Sequence, residues 1–109
     1  MTAVHTQTLG LVLSTGAPAD LAWTVALARA ARRRRIDVSL FLMDRGALWT
    51  AAGAAEGTSA TVRTLLDDGC DVVVCATSLA SAAAPGVVVG GQDDHARLAE
   101  RSDRVVAFT

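Results

Sequence analysis

The stretch DDGCDVVVCATSLA, residues 67–80, carries Cys70 and Cys75, the only two cysteines of the 109-residue chain. A thiol can pair, ligate a metal or attack as a thiolate, and its position on the backbone decides which. Val72, Val73 and Val74 form a β-branched run, the composition of a strand buried on both faces. Asp67, Asp68 and Gly69 read as a turn before it, and Thr77 or Ser78 as a helix cap after it. A strand over 71–75 at roughly 3.3 Å per residue holds the two Cα atoms about 16 Å apart. A disulfide needs them within about 7 Å. The thiols cannot pair within one chain, and they lie at opposite edges of the sheet.

The elements around this strand alternate between two hydrophobic periods. TLGLVLS (8–14) reads as a first buried strand that ends at Thr15–Gly16. PADLAWTVALARAARRRR (18–35) reads as a helix, with Pro18 and Asp20 in its first turn and four arginines at its end. Leu21, Val25 and Ala28, flanked by Ala22, Ala26 and Arg29, give it one apolar face. IDVSLFLM (36–43) is a second strand, stopped by Asp44–Arg45–Gly46. A helical piece is expected near 47–54, and a helix over 58–68 with Thr58 or Ser59 as N-cap. After the strand 71–75 come a short helix near 77–83 ended by Pro85–Gly86, a strand at 87–89, a helix at 92–101 and a strand at 103–109. Strands alternating with helices imply parallel pairing by right-handed crossovers. The expectation is one α/β domain over residues 1–109: a three-layer α/β/α sandwich with a mainly parallel sheet of about five strands.

In such sheets ligands bind beyond the carboxyl ends of the strands. That rule gathers Ser14, Thr15 and Gly16, then Asp44, Arg45 and Gly46, then Cys75, Thr77 and Ser78. Cys70 falls at the other edge and reads as structural. Cys75, just ahead of a helix start, would feel the free N–H groups and the positive end of the dipole, both of which favour the thiolate. Arg45 could add a charge if its loop lies alongside. The competing reading is that Cys75 is an inert buried side chain.

Composition removes other classes. Ten arginines, with no lysine, oppose eleven acidic residues, so the charge balance makes no case for nucleic acid or an anionic membrane. The arginines of RRRR at 32–35 read as a solvated helix end. Residues 72–92 are uncharged, but Ser, Thr, Gly and Pro interrupt them too often for a membrane span. MTAVHTQTLG lacks the pattern of a signal peptide, and two cysteines are too few for a secreted disulfide scaffold; a cytoplasmic protein is expected. STGAP lacks a phosphate-loop pattern. Asp93, Asp94 and His95 are consecutive, point in different directions on a helix and cannot converge on one metal ion. His5 belongs to a tail. No metal and no cofactor is expected. Trp49 reads as a ligand lid or, for a small apolar subunit, an interface anchor.

STGAPAD after the first strand, VSLFLMDRGALW at the second, VVVCATSLA at the third and SDRVVAF at the end follow an order that resembles the DsrE/DsrF-like family of small sulfur-relay subunits. The resemblance spans nearly the whole chain. It implies that Cys75 receives persulfide sulfur and passes it to a partner protein. It also implies a homo-oligomer, trimer or hexamer, or a hetero-oligomer with homologous subunits. Around the sulfur the expected substrate-binding residues are Gly16, Asp44, Arg45, Trp49, Thr77 and Ser78. The chain departs from the family pattern at Ala83–Ala84–Pro85–Gly86, which keeps a glycine but lacks the arginine many sulfur carriers place before it. The alternative is a non-catalytic subunit that binds a small ligand or serves assembly.

Overall fold

A computed structural model describes residues 6–51, 54, 56–79 and 82–109. Five parallel strands, β1 (Thr8–Leu13), β2 (Asp37–Leu42), β3 (Asp71–Cys75), β4 (Val88–Gly90) and β5 (Arg104–Phe108), form one sheet in the order β4-β3-β2-β1-β5. The helices are α1 (Pro18–Arg33), α2 (Glu56–Asp67) and α3 (Gln92–Arg101).

Strand alternation divides the core in two. Leu11, Leu13, Val38, Leu40, Leu42, Val72 and Val74 point to the face covered by Ala28 and Ala31 of α1 and Leu65 of α2. Val12, Phe41 and Cys75 point the other way, beneath Leu98 of α3. One ten-residue helix therefore covers that second face. It packs closely because Gly10 has no side chain: a Cβ there would come within 2.5 Å of Leu98. Burying Leu98 contributes roughly 1.5–3 kcal/mol. The edge strands keep Val88, Val89, Val105 and Val106 exposed.

The three-layer α/β/α reading and the five parallel strands agree with the sequence expectation, and the differences are local. α1 buries Thr24, Ala28 and Ala31, with Leu21 and Val25 half-buried, while Ala22, Ala26 and Arg29 are exposed. Thr24 can be buried because its hydroxyl donates to the Asp20 carbonyl at 2.8 Å. The piece expected at 47–54 is a 3-10 segment over Asp44–Thr50. α2 begins at Glu56, so Thr58 and Ser59 lie inside it and do not cap it. Of the helix expected at 77–83, the described residues show one 3-10 turn, Ala76–Ser78, an extended Leu79 and an isolated antiparallel bridge between Ala51 and Ala83, while 80 and 81 lie outside the described residues. His5 lies outside the described residues.

Candidate functional site

β3 carries Cys75 to the carboxyl end of the sheet, with its side chain on the α3 face. The residue is 2 % exposed, yet three side chains bring polar atoms to its sulfur. Thr77 Oγ1 lies 3.1 Å from Sγ. Gln92 Nε2, from the first turn of α3, donates to Sγ at 3.7 Å. Ser78 adds a further hydrogen bond that favours the ionised sulfur. The thiol pKa is lowered, first by the Thr77 hydroxyl and also by the Thr77 backbone N–H, Gln92 and Ser78, against the opposing effect of burial. Local donors thus take the place of the helix dipole. The single 3-10 turn after Cys75 is too short to develop an α-helix macrodipole.

Cys70, at the opposite end of β3, behaves differently. It is buried, and desolvation pushes its pKa up to about 11 from 9.0, with Arg32 the only counterweight. Both thiols are free. One sheet edge favours a thiolate and the other suppresses it.

The remaining expected residues form the rim. The Asp44 backbone N–H donates to Ser78 Oγ at 2.9 Å, tying the loop after β2 to the turn after β3. Asp44 takes φ 50°, a left-handed conformation that Asp tolerates better than most residues. Gly46 must be glycine, since a Cβ there would run into the Leu13 carbonyl. Gly16 lies against Arg45: a Cβ on the glycine would sit 3.4 Å from the Arg45 Cβ. Arg45 is exposed, and the groups that lower the Cys75 pKa are Thr77, Gln92 and Ser78. Trp49 donates from Nε1 to the Thr15 carbonyl at 3.2 Å and packs on the α1/α2 face, opposite to Cys75. Thr77 and Ser78 thus meet Cys75 directly, Asp44 joins them through Ser78, and Gly16, Arg45 and Trp49 belong to neighbouring loops.

Gln92 and His95 were missing from the expected set. His95 Nδ1 lies 3.2 Å from Gln92 Oε1, and its ring stacks on Phe41 with centroids 5.1 Å apart and an interplanar angle of 11°. The signal was in the spacing: positions 92 and 95 are i, i+3 and share a helix face, whereas 93–95 fan around the axis. Among the described residues no group of three or more His, Cys, Asp or Glu side chains is placed to hold a metal ion, and no helix is long and apolar enough to cross a membrane.

A cleft of about 270 Å³ on the α3 face is lined by Phe41, Val73, Val88, Asp94, Leu98 and Arg101, among others. It is also lined by Leu66 and Cys70, and it runs along β3 from Cys70 to Val73, one pleat short of Cys75.

The sequence model of the DsrE/DsrF-like family matches residues 9–108. The chain belongs to the DsrE/DsrF-like family. Among solved structures it is similar to the ychN protein from E. coli, at 20 % identity and a TM-score of 0.79, covering 95 % of this chain and 100 % of that one. It is also similar to MTH1491 from Methanobacterium thermoautotrophicum, a protein of unknown function, at 12 % identity and a TM-score of 0.78 over the same shares. These likenesses concern the fold. No curated protein matches by sequence. In this DsrE/DsrF-like chain Cys75 ends the third strand.

Proposed function

We propose that this chain is a sulfur-relay subunit in which Cys75 alternates between thiol and persulfide. The observation that carries the reading is the contrast on one strand: donors from Thr77, Gln92 and Ser78 favour the Cys75 thiolate, while burial keeps Cys70 protonated. A thiolate is the attacking species in sulfur exchange. The Cys75 sulfur attacks the terminal sulfur of a donor persulfide, R–S–SH. The new S–S bond forms as the donor's S–S bond breaks, giving Cys75–S–SH and R–S⁻. An acceptor thiolate then attacks that terminal sulfur and releases Cys75–S⁻. Each step exchanges one S–S bond for another, so no outside oxidant or reductant is consumed.

The partners are a donor and an acceptor protein, and the working form is an oligomer, a trimer or hexamer or a ring with homologous subunits. Exposed valines on both edge strands offer apolar surface for such assembly. The cytoplasm, where thiols stay reduced, suits this chemistry.

The test is intact-mass measurement after incubation with a small persulfide donor. The wild type and Cys70→Ser gain sulfur and Cys75→Ser does not; sulfur uptake by Cys75→Ser equal to wild type refutes the reading. The 2 % exposure of Cys75 favours one other reading, a binding or assembly subunit in which the thiol only packs. That reading requires Cys75 to resist alkylation at neutral pH, as a buried thiol with a raised pKa should.

A further inference from the structure

The start of α3 is tied by one of its own side chains. Asp94 Oδ2 accepts from the Gly91 N–H at 2.9 Å, closing the first turn. Gly90 pairs with Cys75 across the β3–β4 ladder, so two residues later Gln92 emerges beside the sulfur. A side-chain amide is directional: its oxygen only accepts and its NH₂ only donates. With Oε1 facing His95 Nδ1 at 3.2 Å and Nε2 facing Sγ at 3.7 Å, Nδ1 must carry the hydrogen. His95 in turn is held by its stack on Phe41, which is 1 % exposed and shares a cluster with Cys75. The chain is therefore continuous, from a buried ring through an imidazole and an amide to the sulfur.

We infer that Gln92 is a positioning residue for the Cys75 sulfur, presenting an N–H to its thiolate and to the persulfide it carries, and that His95 holds the amide in that orientation. The inference rests on the sulfur-relay reading for its purpose, but its physical content is the donor chain itself. A thiolate only accepts, so a flipped amide would set a lone pair against it; the ionised sulfur selects the rotamer with Nε2 towards it, and with it the Nδ1–H form of His95. The donor adds no charge of its own beside the thiolate, since the amide is neutral.

The test uses the full chain with Cys70→Ala, so that Cys75 is the single thiol. Two readings are taken at neutral pH: the rate of alkylation by iodoacetamide and the ultraviolet absorbance of the thiolate. Gln92→Met keeps the length and removes the donor, and it slows alkylation roughly fivefold with loss of thiolate absorbance, the effect of losing one hydrogen bond to sulfur. Gln92→Glu places a carboxylate at the sulfur and slows it further. His95→Phe keeps a ring on Phe41 but frees the amide, and it shifts both readings in the same direction by a smaller factor. A residue that merely covered the thiol would do the opposite, because its removal exposes the sulfur and speeds alkylation. An unchanged or faster Gln92→Met therefore overturns the inference. Persulfide loading of the same proteins separates the two ideas. Failure of the Cys70→Ala parent to load sulfur, alongside slowed alkylation in Gln92→Met, removes the relay and leaves the donor chain standing. Normal loading with unchanged alkylation does the reverse.

Discussion

Thr77 Oγ1 lies 3.1 Å from Cys75 Sγ, so the thiol shares a hydrogen bond with a hydroxyl from the turn that ends its own strand. A hydroxyl that donates to sulfur stabilises the thiolate over the thiol. Thr77→Val removes it at nearly constant volume and should slow alkylation of Cys75 at neutral pH by roughly fivefold. Thr77→Ser should restore most of the rate. Both are read by alkylation kinetics with Cys70 replaced by Ala.

Cys70 makes a prediction about alkaline stability. Its folded pKa is about 11 against 9.0 for the free thiol. Below 9.0 both states hold the proton and the group contributes no pH dependence. Between the two values the unfolded chain ionises and the folded one does not, so stability falls as pH rises. The loss is at most about 2–3 kcal/mol, at 1.36 kcal/mol per unit. The chain has no tyrosine and no lysine to obscure this window. Cys75 acts with the opposite sign, since its lowered pKa adds stability as pH rises towards 9.0. Denaturant unfolding from pH 9 to pH 11 should show the decline in wild type and a flatter profile in Cys70→Ala.

Gly46 sets the loop after β2. A Cβ there would collide with the Leu13 carbonyl, so Gly46→Ala should cost about 3 kcal/mol or more. Gly57, in the first turn of α2, has nothing within 4 Å of its would-be Cβ. Gly57→Ala should stabilise by roughly 0.5 kcal/mol through helix propensity. Equilibrium unfolding of the two variants reads both signs at once.

The architecture was legible because each strand announces itself. The run TLGLVLS and the valines 72–74 are too apolar for a one-sided sheet, and the helical periods between them leave only parallel pairing. The position of Cys75 at a strand's carboxyl end followed from chain direction alone. Its immediate surroundings were less legible. Ala76, Thr77 and Ser78 look like a helix start, yet they form a single 3-10 turn and Leu79 is already extended. Gln92 was missed since its contact with Cys75 is tertiary, set by the register of β4 beside β3 and the close seating of α3 over Gly10. Trp49 was expected at a lid or an interface. Its indole N–H finds the Thr15 carbonyl, an intrachain tie that no local pattern encodes.

Ser78 holds two loops together through one acceptor, the oxygen that takes the Asp44 N–H at 2.9 Å. Ser78→Ala should destabilise the fold by about 1 kcal/mol. The more specific sign is faster hydrogen exchange at the Asp44 amide, with the β2 core amides such as Leu40 unaffected. Equal protection of Asp44 in wild type and variant would show that the tie is not formed in solution.

The central claim is that sulfur resides on the thiol at the carboxyl end of β3. Cleavage before Asp71 separates Cys70 from Cys75, so a wild-type chain treated with a persulfide donor, alkylated and cut there can be read thiol by thiol in a mass spectrometer. The account predicts one added sulfur on the fragment bearing Cys75 and none on the fragment bearing Cys70. Added sulfur confined to Cys70, or found on neither fragment, would contradict it.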